Sequence, residues 1–352
     1  MKKILAILLA LIMVLGMSAA FAETTGRIGV AMPTKSSERW IRDGNSVKEG
    51  LEANGYEVDL QYAEDNIDYQ ISQIENMLVQ GVDALVIASI DGSALTNVLS
   101  SAKEQGVVII AYDRLLTNTE DVDYFATFDS IAIGELQATS LLTGLGVLDG
   151  ATGPFNIELF AGSLDDSNTP LYFEGAMNIL QPYIDSGVLV IPSGQTEMAQ
   201  CAIEGWDGLK AQARMDNLIT ANYADGTILD GVLSPYDGLS IGILSSLKTV
   251  GYGDDDLKMP IVTGQDCEVT SVKSIIAGEQ YSSIFNNTAS LAEVAVNLTL
   301  QALSGEEVEV NSTYNNGVFD VPSMAIDATI ITVDNYEAEL VDSGYIAAED
   351  LQ

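Results

Sequence analysis

From residue 28 onward, short apolar runs rich in Val and Ile alternate with longer stretches whose apolar positions recur at helical spacing. Runs this short and this continuously apolar suit strands covered on both faces. Their alternation with helices predicts parallel sheets wrapped by helices. The first half predicts strands at 28–32, 57–61, 84–88, 107–111 and 124–127. Between them the spacing predicts helices over 38–53, 69–80 and 93–105. Gly55, Gly81 and Gly106 follow these helices, and glycine most readily adopts the left-handed C-terminal cap. The pattern then restarts, with strands at 155–160, 188–191, 231–233, 260–263 and 281–285. Helices are predicted there over 170–181, 209–221, 239–250 and 269–277. The expected fold class is therefore α/β: two similar lobes, each a parallel sheet with helices on both faces.

An internal echo supports two lobes built alike. The stretch from Asp83 to Asp113 resembles that from Asp230 to Asp266: a strand, an Asp-Gly turn at Asp91 or Asp237, a helix containing Leu-Ser-Ser, a strand and a terminal Asp. Ligands of open α/β sheets bind beyond the carboxyl ends of the strands, so the residues just after each strand are the candidates. In the first half these are Lys35, Glu38, Arg39 and Trp40, then Asp113 and Arg114, then Asp129. In the second they are Asp165, Asp166 and Asn168, then Tyr236 and Asp237, then Gln265 and Asp266, then Asn286. Both tryptophans, Trp40 and Trp206, fall at predicted loop-to-helix junctions.

Carboxylates, amides and guanidinium groups beside aromatic rings suit a monosaccharide. Planar bidentate groups can hold adjacent hydroxyls while the C–H faces of the ring pack on aromatics. Each unpaired buried polar group would cost about 1–3 kcal/mol, which makes such a ring stereochemically discriminating.

Composition narrows the alternatives. The chain has 352 residues, 51 Asp and Glu against 14 Lys and Arg, and a net charge of −37, so a phosphate backbone would be repelled and nucleic acid is no partner. With no histidine, Ser-His-Asp and Cys-His catalysis and the HExxH metal sites are excluded. The loop after the first strand, PTKSSERW, lacks the glycines of a dinucleotide fingerprint, and no P-loop, GxSxG or EF-hand run is present. Neither a cofactor nor a metal is expected. A pair of strand-end aspartates leaves open a secreted enzyme acting on sugars by acid and base catalysis.

Lys2 and Lys3 precede an apolar run from Ile4 to Leu15, and Ala20-Phe21-Ala22 has the small-x-small pattern of a cleavage site. This predicts a signal peptide over 1–22 and a periplasmic or extracellular, soluble protein, with no cysteine after the run to carry a lipid. An exported chain with two cysteines, Cys201 and Cys267, is expected to pair them in a disulfide.

At these residues the chain resembles the type I periplasmic binding proteins that deliver monosaccharides to ABC transporters, in the xylose-binding and multiple-monosaccharide-binding branch. The resemblance spans nearly the whole mature chain and rests on ERW, SQIENM, GVDALVI, AYDR, FDSIAIGELQA, SPYDG, GQD and IIAG, in that order. It implies that Arg39, Trp40, Asp113 and Arg114 grip an aldopyranose such as xylose, glucose or galactose from one side. Asp166, Asn168, Trp206, Tyr236 or Asp237, and Asp266 would grip it from the other. Where the xylose-binding branch has Lys, this sequence has Asn286, an amide as in glucose- and galactose-binding relatives.

The resemblance further implies a hinge of three crossings, near Asp129, Asn286 and Gly317. One lobe would hold 23–128 and 287–317, and the other 129–286 and 318–352. It implies a monomer that closes on its sugar, performs no chemistry, and presents the loaded form to an ABC transporter permease or to a membrane sensor ectodomain.

Overall fold

The computed structural model describes residues 25–352, so the expected signal peptide lies outside the described residues. The first lobe alternates β1 (Arg27–Met32), α1 (Glu38–Ala53), β2 (Glu57–Tyr62), α2 (Ile67–Val79), β3 (Ala84–Ile87), α3 (Thr96–Glu104), β4 (Val108–Tyr112) and β5 (Tyr124–Phe128). The second continues with α4 (Ser130–Gly144), β6 (Phe155–Leu159), α5 (Thr169–Asp185), β7 (Leu189–Val190), α6 (Gly208–Asn222), β8 (Gly231–Leu233), α7 (Asp237–Thr249), β9 (Ile261–Val262), α8 (Val269–Ile276) and β10 (Ser283–Phe285). The chain closes with α9 (Thr288–Ser304), β11 (Ser312–Asn315), β12 (Asp320–Ile326) and β13 (Thr329–Ile331).

The first sheet runs β11-β12-β5-β4-β3-β1-β2 and the second β7-β6-β8-β9, while β10 and β13 form an antiparallel ribbon. A parallel bridge between Gln265 and Ile284 ties that ribbon to the strand end of β9. All pairs from β1 to β5 are parallel; β1, β3 and β4 are almost wholly buried, as their apolar runs predict, while β2, EVDLQY at the sheet edge, is only partly covered. Val47 and Leu51 of α1 and Leu291 and Ala295 of α9 cover one face of this sheet. Ile74 and Met77 of α2 and Leu99 and Ala102 of α3 cover the other. Each fully buried Leu or Ile contributes about 1.5–3 kcal/mol over an exposed one.

Two helices open directly at lobe crossings, each with a side-chain cap. Asp129 accepts from Ala132 N at 3.1 Å to start α4, and Asn287 accepts from Ser290 N at 3.1 Å to start α9. In the second lobe α4 and α5 cross closely because Gly134 and Gly175 sit at the contact. A Cβ on either would come within 2.1 Å of a carbonyl oxygen, of Tyr172 and Ile131 respectively.

Two expectations are corrected. The third crossing is not at Gly317: β12 pairs in parallel with β5, so the chain stays in the first lobe to Ile326 and crosses before β13. Gly317, at φ 93°, instead serves the turn between β11 and β12. Nor do the cysteines pair. Cys201 lies in the core between α4, α5 and β6, and Cys267 in a separate cluster under the C-terminal segment; both are free and buried. Burial pushes the Cys201 thiol up to about 11.

Candidate functional site

The strand ends of the two lobes face each other across a cleft enclosing about 540 Å³, its open mouth included. Its walls are polar and aromatic: Arg39, Trp40, Asp113, Arg114 and Asp65 from the first lobe, and Asp166, Tyr172, Trp206, Tyr236, Gln265 and Asp266 from the second. Bonds span the lobes at several points. Leu115 N donates to Ser167 Oγ at 2.9 Å, and Asn168 Nδ2 donates to Asp113 O at 2.9 Å, so the lobes are closed on one another.

Arg39 is the hub. It lies in the first turn of α1, buried, with Nη2 donating to Asp113 Oδ2 and Nη1 to Asp266 Oδ1 at 3.3 Å. One guanidinium fork thus joins a carboxylate from each lobe. Asp113 and Asp266 are the two terminal aspartates of the internal echo, and their geometry repeats. Each has positive φ, 60° and 89°, in the left-handed region that non-glycine residues seldom occupy. Each also donates its backbone N–H to the neighbouring strand, Asp113 to Ala126 O at 2.7 Å and Asp266 to Ile284 O at 2.8 Å. The turn aims both side chains off the strand end into the cleft. Burial opposes the Arg39 charge, but Asp113, Asp266 and Asp43 around it raise its pKa well above the usual value.

A second pair stands beside the first. Arg114 Nε lies 2.8 Å from Asp166 Oδ2, an ion pair off the line of its N–H, and Nη1 donates to Ser89 O at 3.1 Å. Both guanidiniums sit over Trp40, 4.8 Å away for Arg39 and 5.1 Å for Arg114. Trp206 Nε1 donates to Asp166 Oδ2 at 3.1 Å, and its ring stands edge-on to Tyr236 with centroids 6.0 Å apart. Gly162 makes room for that ring, since a Cβ there would come within 2.1 Å of it. Burial raises the pKa of Asp166 and Asp266, partly offset by Arg114 and Arg39 respectively. At the cleft edge Glu268 Oε1 accepts from Ser37 Oγ at 2.8 Å across the lobes and from Tyr236 Oη at 2.7 Å within its own.

Of the residues singled out in the sequence, Arg39, Trp40, Asp113, Arg114, Asp166, Trp206, Tyr236 and Asp266 line the cleft. Three stand behind it. Asn168 caps Asp166 and Asp113 from the rear, with Asn168 N donating to Asp166 Oδ1 at 2.9 Å. Asn286 Nδ2 donates to Asp266 Oδ1 at 3.1 Å and is fully buried, so it positions Asp266 rather than lining the cleft. Asp237 turns into the second lobe, accepting from Glu268 N at 2.9 Å, Gln280 Nε2 at 3.0 Å and Ser283 Oγ at 3.0 Å. Tyr236 alone of that pair faces the cleft.

Tyr172, Asp65 and Ser37 were missed, and Gln265 was seen at a strand end but not placed among the residues expected to grip the sugar. Tyr172 comes from a helix, where strand-end reasoning does not look. Asp65 follows β2 with φ 56°, and an Asn or Asp cluster after a strand was the available signal. Among the described residues no group of three or more His, Cys, Asp or Glu is arranged to hold a metal ion, and no helix is long and apolar enough to cross a membrane.

Residues 28–307 match the family described as periplasmic binding protein domain. The chain is 54% identical over 335 residues to the multiple sugar-binding periplasmic receptor ChvE of Rhizobium radiobacter, covering 95% of this chain and 94% of that one. It is 31% identical to the D-xylose-binding periplasmic protein of Escherichia coli, covering 92% of each. Among solved structures it resembles an ABC transporter solute binding protein from Clostridium phytofermentans with bound β-D-glucose, at 43% identity and a TM-score of 0.88, covering 93% of this chain and 100% of that one. With the cleft geometry and a match over most of its length, the chain belongs to the periplasmic binding protein family.

Proposed function

We propose that this protein captures a monosaccharide, an aldopyranose such as glucose, xylose or galactose, between its lobes and hands it to an ABC transporter permease. The observation that carries the reading is Arg39 held between Asp113 and Asp266, one carboxylate from each lobe, with Trp40 stacked beneath it. Planar charged groups with free lone pairs and protons beside aromatic faces are what adjacent ring hydroxyls and C–H faces require. Relatives named for sugar binding and a similar structure holding β-D-glucose support the same ligand class.

Closing supplies the signal. Bonds such as Ser37 to Glu268 exist only when the lobes meet, so a ligand that bridges the cleft favours that form, and a permease or a sensor ectodomain can tell it from the open one. The protein works as an exported monomer and leaves the sugar unchanged. The test is a thermal-shift screen of the chain from Glu23 onward against glucose, galactose, xylose, arabinose, fucose and ribose. Sugar at 100 times its Kd adds about 2.7 kcal/mol and raises the Tm by several degrees. No shift with any of them would overturn the reading, and turnover of a chromogenic glycoside would replace it with the enzyme.

A further inference from the structure

Behind the cleft wall, Asp43 lies fully buried in α1, one turn on from Arg39. Its Oδ2 is 3.6 Å from Arg39 Nε, yet neither carboxylate oxygen completes a hydrogen bond. Arg39 Nε and Tyr112 Oη beside it likewise lack a partner at hydrogen-bonding geometry, although the Tyr112 and Thr288 hydroxyls stand near enough to lower the Asp43 pKa. Four orphaned polar atoms in one buried spot are costly, and an ionised carboxylate is the costliest member.

Groups face Asp43 from every element packed on it. Arg39 shares its helix, Tyr62 comes from β2, and Tyr112 and Asp113 come from the end of β4. Thr288 comes from the start of α9, its hydroxyl 3.2 Å from Tyr345 Oη, whose ring lies 4.5 Å from Arg42. Asp266 of the second lobe does not touch Asp43 but shares its guanidinium, 3.3 Å from Arg39 Nη1.

The count of charges changes when the lobes meet. Asp43 and Asp113 belong to the same lobe as Arg39, whereas Asp266 arrives from the other lobe and becomes a third carboxylate on one guanidinium. Asp43 is the most distant of the three and has no good hydrogen bond, so it is the carboxylate that most easily gives up its charge. We propose that Asp43 is a proton-dependent positioning residue: it takes up a proton as the lobes close on a ligand and releases Arg39 from behind to serve Asp113, Asp266 and the ligand.

Burial, opposed by Arg39, raises the Asp43 carboxyl to about 7 in this closed form. Closing that favours the protonated form makes binding tighter as the pH falls. The affinity is flat above that pKa and rises by up to about tenfold per pH unit below it, until the pKa of the open form is reached.

This inference rests on sugar capture by the same cleft, and the experiment separates the two. Glucose, xylose and galactose would be titrated calorimetrically into the chain from Glu23 onward between about pH 5.5 and 8.5, in phosphate and in Tris, whose ionisation heats differ. The expected result is about half a proton taken up per sugar near pH 7, with affinity improving toward lower pH. Asp43→Asn should keep binding, lose the uptake and flatten the pH profile. Tyr112→Phe removes a hydroxyl that lowers the Asp43 pKa, so it should move the break in the profile to higher pH, and it decides the matter if the Asn variant does not fold. Heats independent of buffer, uptake retained in Asp43→Asn, or an unmoved break in Tyr112→Phe would overturn the inference while leaving sugar capture standing. No binding of any of the three sugars would overturn both.

Discussion

Ser37→Ala isolates the contribution of lobe contact to affinity. Ser37 occupies the N-cap position of α1 with φ −103° and ψ 133°, but its side chain caps nothing. Its hydroxyl instead reaches Glu268 Oε1 at 2.8 Å, in the other lobe. Removing it should therefore leave the free protein's stability unchanged, because the bond is absent when the lobes are apart. A hydrogen bond to a charged partner contributes about 1.5–3 kcal/mol. Glu268 is half-buried and keeps its bond to Tyr236, so the low end applies. A loss of about 1.4 kcal/mol is a tenfold weaker Kd. Because the bond forms after the sugar has entered, the loss should appear in the off-rate.

Calorimetry with the best sugar from the screen, stopped-flow release and a sugar-free melt read these three quantities. Ser37 also lines the cleft, so a double-mutant cycle with Glu268→Ala is needed. In that background Ser37→Ala should cost nothing further. An unchanged Kd, an equal loss in the Glu268→Ala background, or a drop in the sugar-free Tm would refute the reasoning.

Other outcomes follow from the same geometry. Asp113→Ala leaves Arg39 without its nearest carboxylate and should weaken sugar binding by at least about 100-fold, roughly 3 kcal/mol, with the far-ultraviolet circular dichroism unchanged; retained affinity would place the ligand elsewhere. Gly162→Ala puts a Cβ against the Trp206 ring, so it should displace that ring and lower affinity more than sugar-free stability, which tryptophan fluorescence and calorimetry would register. A thiol titration in denaturant without reductant should count two thiols per chain, and a count of zero would mean that Cys201 and Cys267 pair after all.

Much of this was legible in the pattern of residues. Continuous apolar runs marked β1, β3 and β4 most plainly, because strands buried on both faces leave no polar alternation to confuse them. The echo between Asp83–Asp113 and Asp230–Asp266 went further: its two terminal aspartates share one backbone conformation and one partner, Arg39. What escaped has physical causes. β11 reads STYN and β12 contains Pro322, which signal loop rather than strand, yet pairing to β5 overrides that local preference. Tyr172 reaches the cleft from a helix, through an approach of α4 and α5 that two glycines allow. Asp237 shares its turn with Tyr236, but sequence spacing cannot tell which of two adjacent side chains faces the cleft and which turns into the lobe.

The late return of β12 also governs how the molecule is assembled. Until residues 320–326 have been made, the β5 edge of the first sheet has no neighbour on its outer side, and α9, which seals one face of that sheet, arrives only shortly before. Neither lobe is a contiguous stretch, so the halves cannot mature one after the other as the chain emerges. The protein becomes foldable nearly all at once, near its end, and a chain still being made stays open for most of its length. If the chain is exported as proposed, by machinery that threads unfolded chains, this order of assembly keeps it threadable until its final stretch is available.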